Sequence, residues 1–218
     1  MIAQTDAGAP PPFRVAVLVS GEGTNLQAIL DRLHGRGVVE VACVASNRPE
    51  AAGLERARAA GVPTGAFPAS AYPDRAERDV ALADWIAGHG SRLVVLAGFM
   101  ELLSPAFVAR FPLQIVNVHP SLLPAFRGTR AIEQAFEYGV KVMGVTVHFV
   151  DDGVDTGPIV LQRAFELPYP AGIAEIEDRV HEIEHELLPR AVELIAGGAV
   201  AVDPADSRRV LVRSAPRG

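Results

Sequence analysis

The stretch Arg14-Val15-Ala16-Val17-Leu18-Val19-Ser20-Gly21-Glu22-Gly23-Thr24-Asn25-Leu26-Gln27-Ala28-Ile29 changes backbone type within a few residues. Residues 14–20 are apolar without a break after Arg14, as strands covered on both faces are. Residues 21–24 turn, and residues 25–33 read as a helix. A buried strand, a glycine turn and a helix make the opening of a βα unit. The pattern recurs downstream. Residues 38–45 form a strand. Residues 51–60 form a helix ended by Gly61 and Pro63, and residues 62–67 a short strand. Residues 74–87 form a helix closed by Gly88, and residues 92–97 a strand. A short helix over 105–110 begins with proline, where a missing N–H costs nothing. Residues 114–118 form another strand. This alternation predicts an α/β fold with a doubly wound, mostly parallel sheet of Rossmann-like type and right-handed crossovers.

After residue 118 the pattern changes. A proline- and glycine-rich loop leads to a helix over 129–138 and two long strands over 141–150 and 158–165, spaced as an antiparallel addition to the sheet. A long helix covers 173–195. Repeats, low-complexity runs and an interdomain linker are all missing from the sequence. The expected organisation is a disordered tail over residues 1–12 and one domain over 13–218.

Bulk properties narrow the function classes. The 218 residues carry a net charge of −6 and 49% hydrophobic content. This is a globular composition, and its negative charge argues against a nucleic-acid surface as the main business. One cysteine, Cys43, rules out an intrachain disulfide framework and reads as a buried hydrophobe in a strand. No run reaches the roughly 18 apolar residues of a membrane span. Residues 1–12 have neither the basic start nor the apolar centre of a signal peptide, so the cytoplasm is the default location. Lys141 is the one lysine, and thus the one candidate for Schiff-base chemistry.

Three motifs carry chemistry. Gly21-Glu22-Gly23-Thr24-Asn25 lies between strand and helix, where backbone N–H groups can hold an anion. The dinucleotide fingerprint needs glycine where Leu26 stands, and no Gly-Lys-Ser/Thr follows. The loop therefore fits a phosphate monoester better than NAD or ATP; the plainer reading is a tight turn capped by Thr24 or Asn25. Asn117 and His119 in Asn117-Val118-His119-Pro120-Ser121-Leu122-Leu123-Pro124 point the same way at the carboxyl end of a strand, where open α/β sheets bind ligands. Asp155, in Asp155-Thr156-Gly157-Pro158, would raise the His119 pKa if it lay nearby and hold the ring charged, so that it could donate to an oxyanion with the Asn117 amide as second donor. An amide, an imidazole and a carboxylate, with no Ser or Cys, suit a transfer in which the substrate attacks and the protein stabilises an oxyanion. The alternative is a structural histidine before a kinked loop, with Asp155 a turn former.

His181-Glu182-Ile183-Glu184-His185 matches the zinc-protease pattern H-E-x-x-H on a helix. The match is short, however, and no third ligand is evident except Glu193. Residues 151–155 faintly resemble a calcium loop but lack its spacing and its final Glu. Arg75 reads as a solvated charge, residues 99–103 as core or pocket wall, and His34, His89 and His148 as surface or packing.

Together these residues resemble the folate-dependent phosphoribosylglycinamide formyltransferase family over about residues 14–199. The resemblance is carried by residues 20–29, by Leu96-Ala97-Gly98-Phe99-Met100, by residues 117–124, and by Val147-His148-Phe149-Val150 leading to Asp155-Thr156-Gly157-Pro158. It implies a single formyltransferase domain that moves a formyl group from 10-formyltetrahydrofolate, a co-substrate, to the amine of glycinamide ribonucleotide in de novo purine biosynthesis. It implies Asn117, His119 and Asp155 as catalytic residues. Gly23, Thr24, Asn25, His181, Glu182, Ile183 and Glu184 would bind the ribonucleotide. Arg75, Met100, Glu101, Leu102, Leu103, Asn117, Asp151, Asp152, Gly153, Val154 and Asp155 would bind the folate.

The resemblance also gives the H-E-x-x-H match a non-metal explanation, and no metal is expected. The expected partners are small-molecule substrates, with no nucleic acid and no membrane. A homodimer is compatible with the sequence, which leaves the oligomeric state open. Glu101 stands where the family often has Arg, Arg127 where it has Pro, and Arg130 where it has His. Methionyl-tRNA formyltransferase and formyltetrahydrofolate hydrolase share the Asn-His-Asp core but carry extra domains. A non-catalytic nucleotide-binding module would use the glycine loop alone.

Overall fold

The computed structural model describes residues 11–167 and 172–213. The expected tail falls outside the described residues as far as residue 10; Pro11 and Pro12 are exposed and belong to no regular element. Five strands, β1 (Phe13–Val19), β2 (Val39–Ser46), β3 (Thr64–Ala66), β4 (Leu93–Leu96) and β5 (Ile115–His119), are mutually parallel. β6 (Val142–Phe149) runs antiparallel to β5, and β7 (Ile159–Glu166) antiparallel to β6. The spatial order is β3-β2-β1-β4-β5-β6-β7, so the expected parallel sheet and its antiparallel addition are both present.

Helices α1 (Thr24–Arg32), α2 (Ala52–Ala59), α3 (Arg75–Gly88), α4 (Pro105–Arg110), α5 (Ala131–Tyr138) and α6 (Ile173–Ala196) flank the sheet. The strands β1, β2, β4 and β5 are mostly apolar because both faces are covered. Val15, Val17 and Val19 pack with Leu26 and Ile29 of α1, Leu54 of α2 and Leu188 of α6. Ala16 and Leu18, pointing the other way, pack with Leu82 and Ile86 of α3 and Phe107 of α4. Cys43 lies in this second layer, and burial pushes its thiol up to about 11. α6 runs through the buried Pro189 without ending; a proline there costs a backbone hydrogen bond, so tertiary packing overrides the local rule.

No regular element is expected from the sequence over residues 196–213. They contain an antiparallel hairpin, β8 (Val200–Asp203) and β9 (Asp206–Val212). Val200, Val202 and Val210 turn toward the main core.

Gly23 shows why the first glycine loop is glycine-rich. It caps α1 at φ 71°, and a Cβ there would lie 2.6 Å from the Cα of Gly53 in α2. Both the left-handed backbone and the close approach of α2 exclude a side chain.

Candidate active site

The carboxyl ends of β1, β4 and β5 open on one side of the sheet, as expected where a doubly wound sheet binds ligands. A cleft of ≈ 360 Å³ lies there. Its floor is Asn117 and His119 of β5 and His148 of β6, and one rim is the loop 151–155. The antiparallel register sets Asn117 opposite His148 and His119 opposite Thr146.

Asp155 does fold back onto His119. Its Oδ2 lies 3.4 Å from His119 Nδ1 and accepts a hydrogen bond from the Gly128 N–H at 2.8 Å. Its Oδ1 lies 3.7 Å from His148 Nε2, which is itself 3.3 Å from Asn117 Nδ2. The three predicted groups thus meet, and His148, expected from the sequence to be a surface or packing residue, joins them; it is only 2% exposed. Burial raises the Asp155 pKa. The neighbouring His148, the Gly128 N–H and, when its ring is protonated, His119 outweigh burial and bring the carboxyl down to about 2. Asp155 holds a left-handed backbone at φ 51°, as does Phe126 at φ 49°. Such strained non-glycine residues gather where surrounding structure fixes them for a function.

One expectation is corrected. Asp155 was expected to raise the His119 pKa and keep the ring charged. Its charge acts in that direction, as does the Phe126 carbonyl 2.8 Å from Nε2, but burial of the 4%-exposed ring is the larger effect and holds it below the ordinary histidine value. Nε2 donates to Phe126 O, which leaves Nδ1 bare and facing a carboxylate oxygen. A second proton would satisfy both acceptors, so the ring is poised to take one when further negative charge arrives.

The predicted folate-binding residues Arg75, Met100, Glu101, Leu102, Leu103, Asn117, Asp151, Asp152, Gly153, Val154 and Asp155 all line this cleft. Met100 and Leu102 stand open to solvent, at 63% and 59%, and give an apolar wall against the acidic rim. The wall is fixed from behind. Met100 N donates to Ser20 Oγ at 2.8 Å, Ser20 Oγ donates to Asn47 Oδ1 at 2.6 Å, and Asn47 Nδ2 donates to Glu101 Oε1 at 2.6 Å. Glu101 is closed on its other side by the buried Arg78, which also pairs with Asp79 at 2.8 Å. Burial raises Glu101, but Asn47 and Arg78 outweigh it and hold its carboxyl below the usual range. Its charge is therefore already matched by the protein. Among the described residues lining the cleft, Arg75 is the one permanent cation.

The predicted ribonucleotide residues divide. Gly23, Thr24 and Asn25 open α1, and the buried Asn25 Nδ2 donates to Glu184 Oε2 at 2.9 Å. His181 Nδ1 lies 3.1 Å from the same oxygen, and that hydrogen bond raises the His181 pKa. Asn25 Oδ1 is buried and without a protein partner. By contrast, Ile183 points into the core, and Glu182 turns outward to Arg179 at 2.6 Å. Arg127 is exposed, and Arg130 reaches Glu137 at 3.4 Å. His34 accepts from Val41 N and His89 packs on Trp85, both structural contacts. Lys141 precedes β6 and does not line the cleft. Among the described residues no group of three or more His, Cys, Asp or Glu could hold a metal ion, and no helix is long and apolar enough to cross a membrane.

The formyl transferase family profile matches residues 13–192. Phosphoribosylglycinamide formyltransferase of Bacillus subtilis is 39% identical over 185 residues, covering 84% of this chain and 95% of that protein. The bovine trifunctional purine biosynthetic protein adenosine-3 is 41% identical over 192 residues, which cover 88% of this chain but 19% of that longer protein. The crystal structure of glycinamide ribonucleotide transformylase 1 from Symbiobacterium toebii superposes with a TM-score of 0.88 at 46% identity, covering 93% of this chain and 95% of that one. With the fold, the family profile and near full-length relatives in agreement, the chain belongs to the formyl transferase family, among its phosphoribosylglycinamide formyltransferases.

Proposed function

We infer that this chain transfers the formyl group of 10-formyltetrahydrofolate to the amine of glycinamide ribonucleotide. The observation that carries the reading is the meeting of Asn117, His119, His148 and Asp155 on the floor of a cleft walled by Met100 and Leu102. The apolar wall and the loop 151–155 suit the flat pterin, and Arg75 suits the carboxylates of the folate tail. Gly23, Thr24 and Asn25 would hold the ribonucleotide phosphate, and Glu184 its glycinamide end. The charge of Glu184 acts on His119, which supports placing the two substrates side by side.

The amine lone pair attacks the formyl carbon, and the carbonyl π electrons move to oxygen. Two substrates held together make this step effectively intramolecular. Asn117 Nδ2 donates to the oxyanion. His119 enters neutral; as negative charge builds beside it, Asp155 and the oxyanion together favour its taking up the proton that the attacking amine sheds. To donate, Nε2 must exchange Phe126 O for the substrate oxygen. The oxyanion then collapses, the bond to folate N10 breaks, and N10 takes up the proton that His119 held, which leaves the ring neutral. Since the substrate amine is the nucleophile, no covalent enzyme intermediate forms.

Residues 13–218 would act as one formyltransferase domain on small molecules, with the cytoplasm as its expected location. The test is formyl consumption from 10-formyltetrahydrofolate with glycinamide ribonucleotide, with charged initiator tRNA, or with neither. Turnover with the ribonucleotide alone is expected. Equal turnover with water or with tRNA would overturn the assignment.

A further inference from the structure

The C-terminal hairpin reaches back to the active-site loop. β9 alternates, so Arg208 shares a face with Val210, and Val210 packs against the main core. From that face the Arg208 guanidinium Nη1 donates to the backbone carbonyl of Thr156 at 2.6 Å. Thr156 directly follows Asp155, whose φ of 51° is one that L side chains rarely adopt.

Among the other tethers, the Gly128 N–H at 2.8 Å holds the Asp155 carboxylate rather than its backbone. Thr156 Oγ1 donates to Asp151 Oδ1 at 2.5 Å and Gly153 N to the same oxygen at 3.1 Å. Both bonds lie within the loop, so they make it rigid without fixing where it stands. At its far end Gly157 passes so close to Phe149 that a Cβ would lie 1.8 Å from the Phe149 carbonyl oxygen. The two ends of the loop are also fixed by backbone bonds, Val150 N donating to Ile115 O at 2.9 Å and Phe149 N to Pro158 O at 2.8 Å. Between those ends, the bond from Arg208 ties the backbone next to Asp155 to another element. A charged donor at that carbonyl restricts the stretch of backbone that carries Asp155.

We propose that Arg208 is a positioning residue for Asp155, and that the β8–β9 hairpin serves as a clamp on the active-site loop. The proposal rests on the role given to Asp155 above. Misplacing a reacting group by about 1 Å costs up to about 10²-fold in rate; a loosened but still folded loop is expected to cost about tenfold.

The test compares Arg208→Ala, Arg208→Lys and Arg209→Ala in the full chain. Arg209 is the control, since it lies on the opposite face, 74% exposed, paired with Asp206 at 3.1 Å. Arg208→Ala is expected to lower kcat about tenfold and to leave KM for glycinamide ribonucleotide within about twofold. It should also speed amide exchange over residues 152–157 about tenfold. Lysine, which keeps a charged donor, should restore most of both, and Arg209→Ala should change neither. Parental exchange in Arg208→Ala overturns the clamp, whatever Asp155 does. Faster exchange with parental kcat overturns its catalytic consequence. An Arg208→Ala chain that cannot be purified folded also counts against it if Arg208→Lys then shows parental kcat with fast exchange. Failure of the Asp155 reading itself shows elsewhere, as an active Asp155→Asn enzyme.

Discussion

Asp155→Asn keeps the size of the side chain and removes its charge, so it isolates the electrostatic part of the site. The carboxyl is brought from 3.8 to about 2 in the fold. That difference is worth about 2 kcal/mol in favour of the ionised form, or roughly 60-fold in a protonation equilibrium. The groups that supply it, His148, the Gly128 N–H and His119, lose the same coupling when the charge is gone. His119 suffers most, because burial already disfavours its protonated form. An uncharged neighbour leaves nothing but the transient oxyanion to draw the second proton. Losing one oxyanion donor typically costs about 10²–10³ in rate. Turnover is therefore expected to fall at least about 10²-fold, with KM for both substrates within a few-fold.

The assay is the initial rate of formyl loss with both substrates saturating, alongside urea unfolding of each protein. The parent should be more stable than the variant by about 2 kcal/mol at pH 7. The sign follows from the depressed pKa. The contribution is fully present above 3.8 and is lost as pH falls through about 2, so the two proteins should converge in acid. A variant within tenfold of parental kcat, folded and unchanged in KM, would refute the role given to this carboxylate.

Three further outcomes are expected. In an NMR titration His119 and His185 should ionise below 6.5 and His181 above it; His119 above 6.5 would restore the charged-ring picture. Correspondingly, the His119 contribution to stability should be present above 6.5 and fade below it, whereas that of His181 should be present below 6.5 and fade as pH rises through its folded value. Asn25→Ala removes the donor to the buried Glu184 and should raise KM for glycinamide ribonucleotide more than it lowers kcat, at a stability cost of about 1–3 kcal/mol; an unchanged KM would detach this pair from the ribonucleotide. Arg78→Met leaves Asp79 and Glu101 without their counter-charge and should cost about 3–5 kcal/mol in urea unfolding, so a loss under about 1 kcal/mol would show the network to be dispensable.

The fold was legible because its signals are local. Apolar runs with glycine or proline at their ends set β1 through β5, and element ends differ from expectation by a residue or two, where capping decides them. Asp74, for example, caps α3 through Glu77 N rather than beginning the helix. The hairpin β8–β9 escaped because Asp203, Asp206, Arg208 and Arg209 break its hydrophobicity. Its pairing gains from burial of Val200, Val202 and Val210 against elements distant in sequence, which a local window does not contain.

The candidate site was legible as a set of residues but not as a charge state. Asn117, His119 and Asp155 were readable by type and spacing. His148 was missed because its place depends on β6 lying antiparallel beside β5 in the register that sets it opposite Asn117. A trace was present in Val145-Thr146-Val147-His148-Phe149, where Thr146 and His148 fall on one face of an otherwise apolar strand. Thr146 bonds the Ser121 carbonyl at 2.6 Å and steadies the loop after His119, while His148 bridges Asn117 and Asp155.

The error over the His119 charge has a different source. Opposite charge can be inferred from a motif, but desolvation depends on everything packed around the ring, and here it is the stronger effect. On the mechanism proposed above, the consequence is functional. A ring already charged in the empty site would be matched to the Asp155 carboxylate before substrate arrived. A neutral ring with two acceptors at its nitrogens favours its second proton only as the oxyanion forms. Its stabilisation is then greater in the transition state than in the ground state, which is the condition for raising kcat.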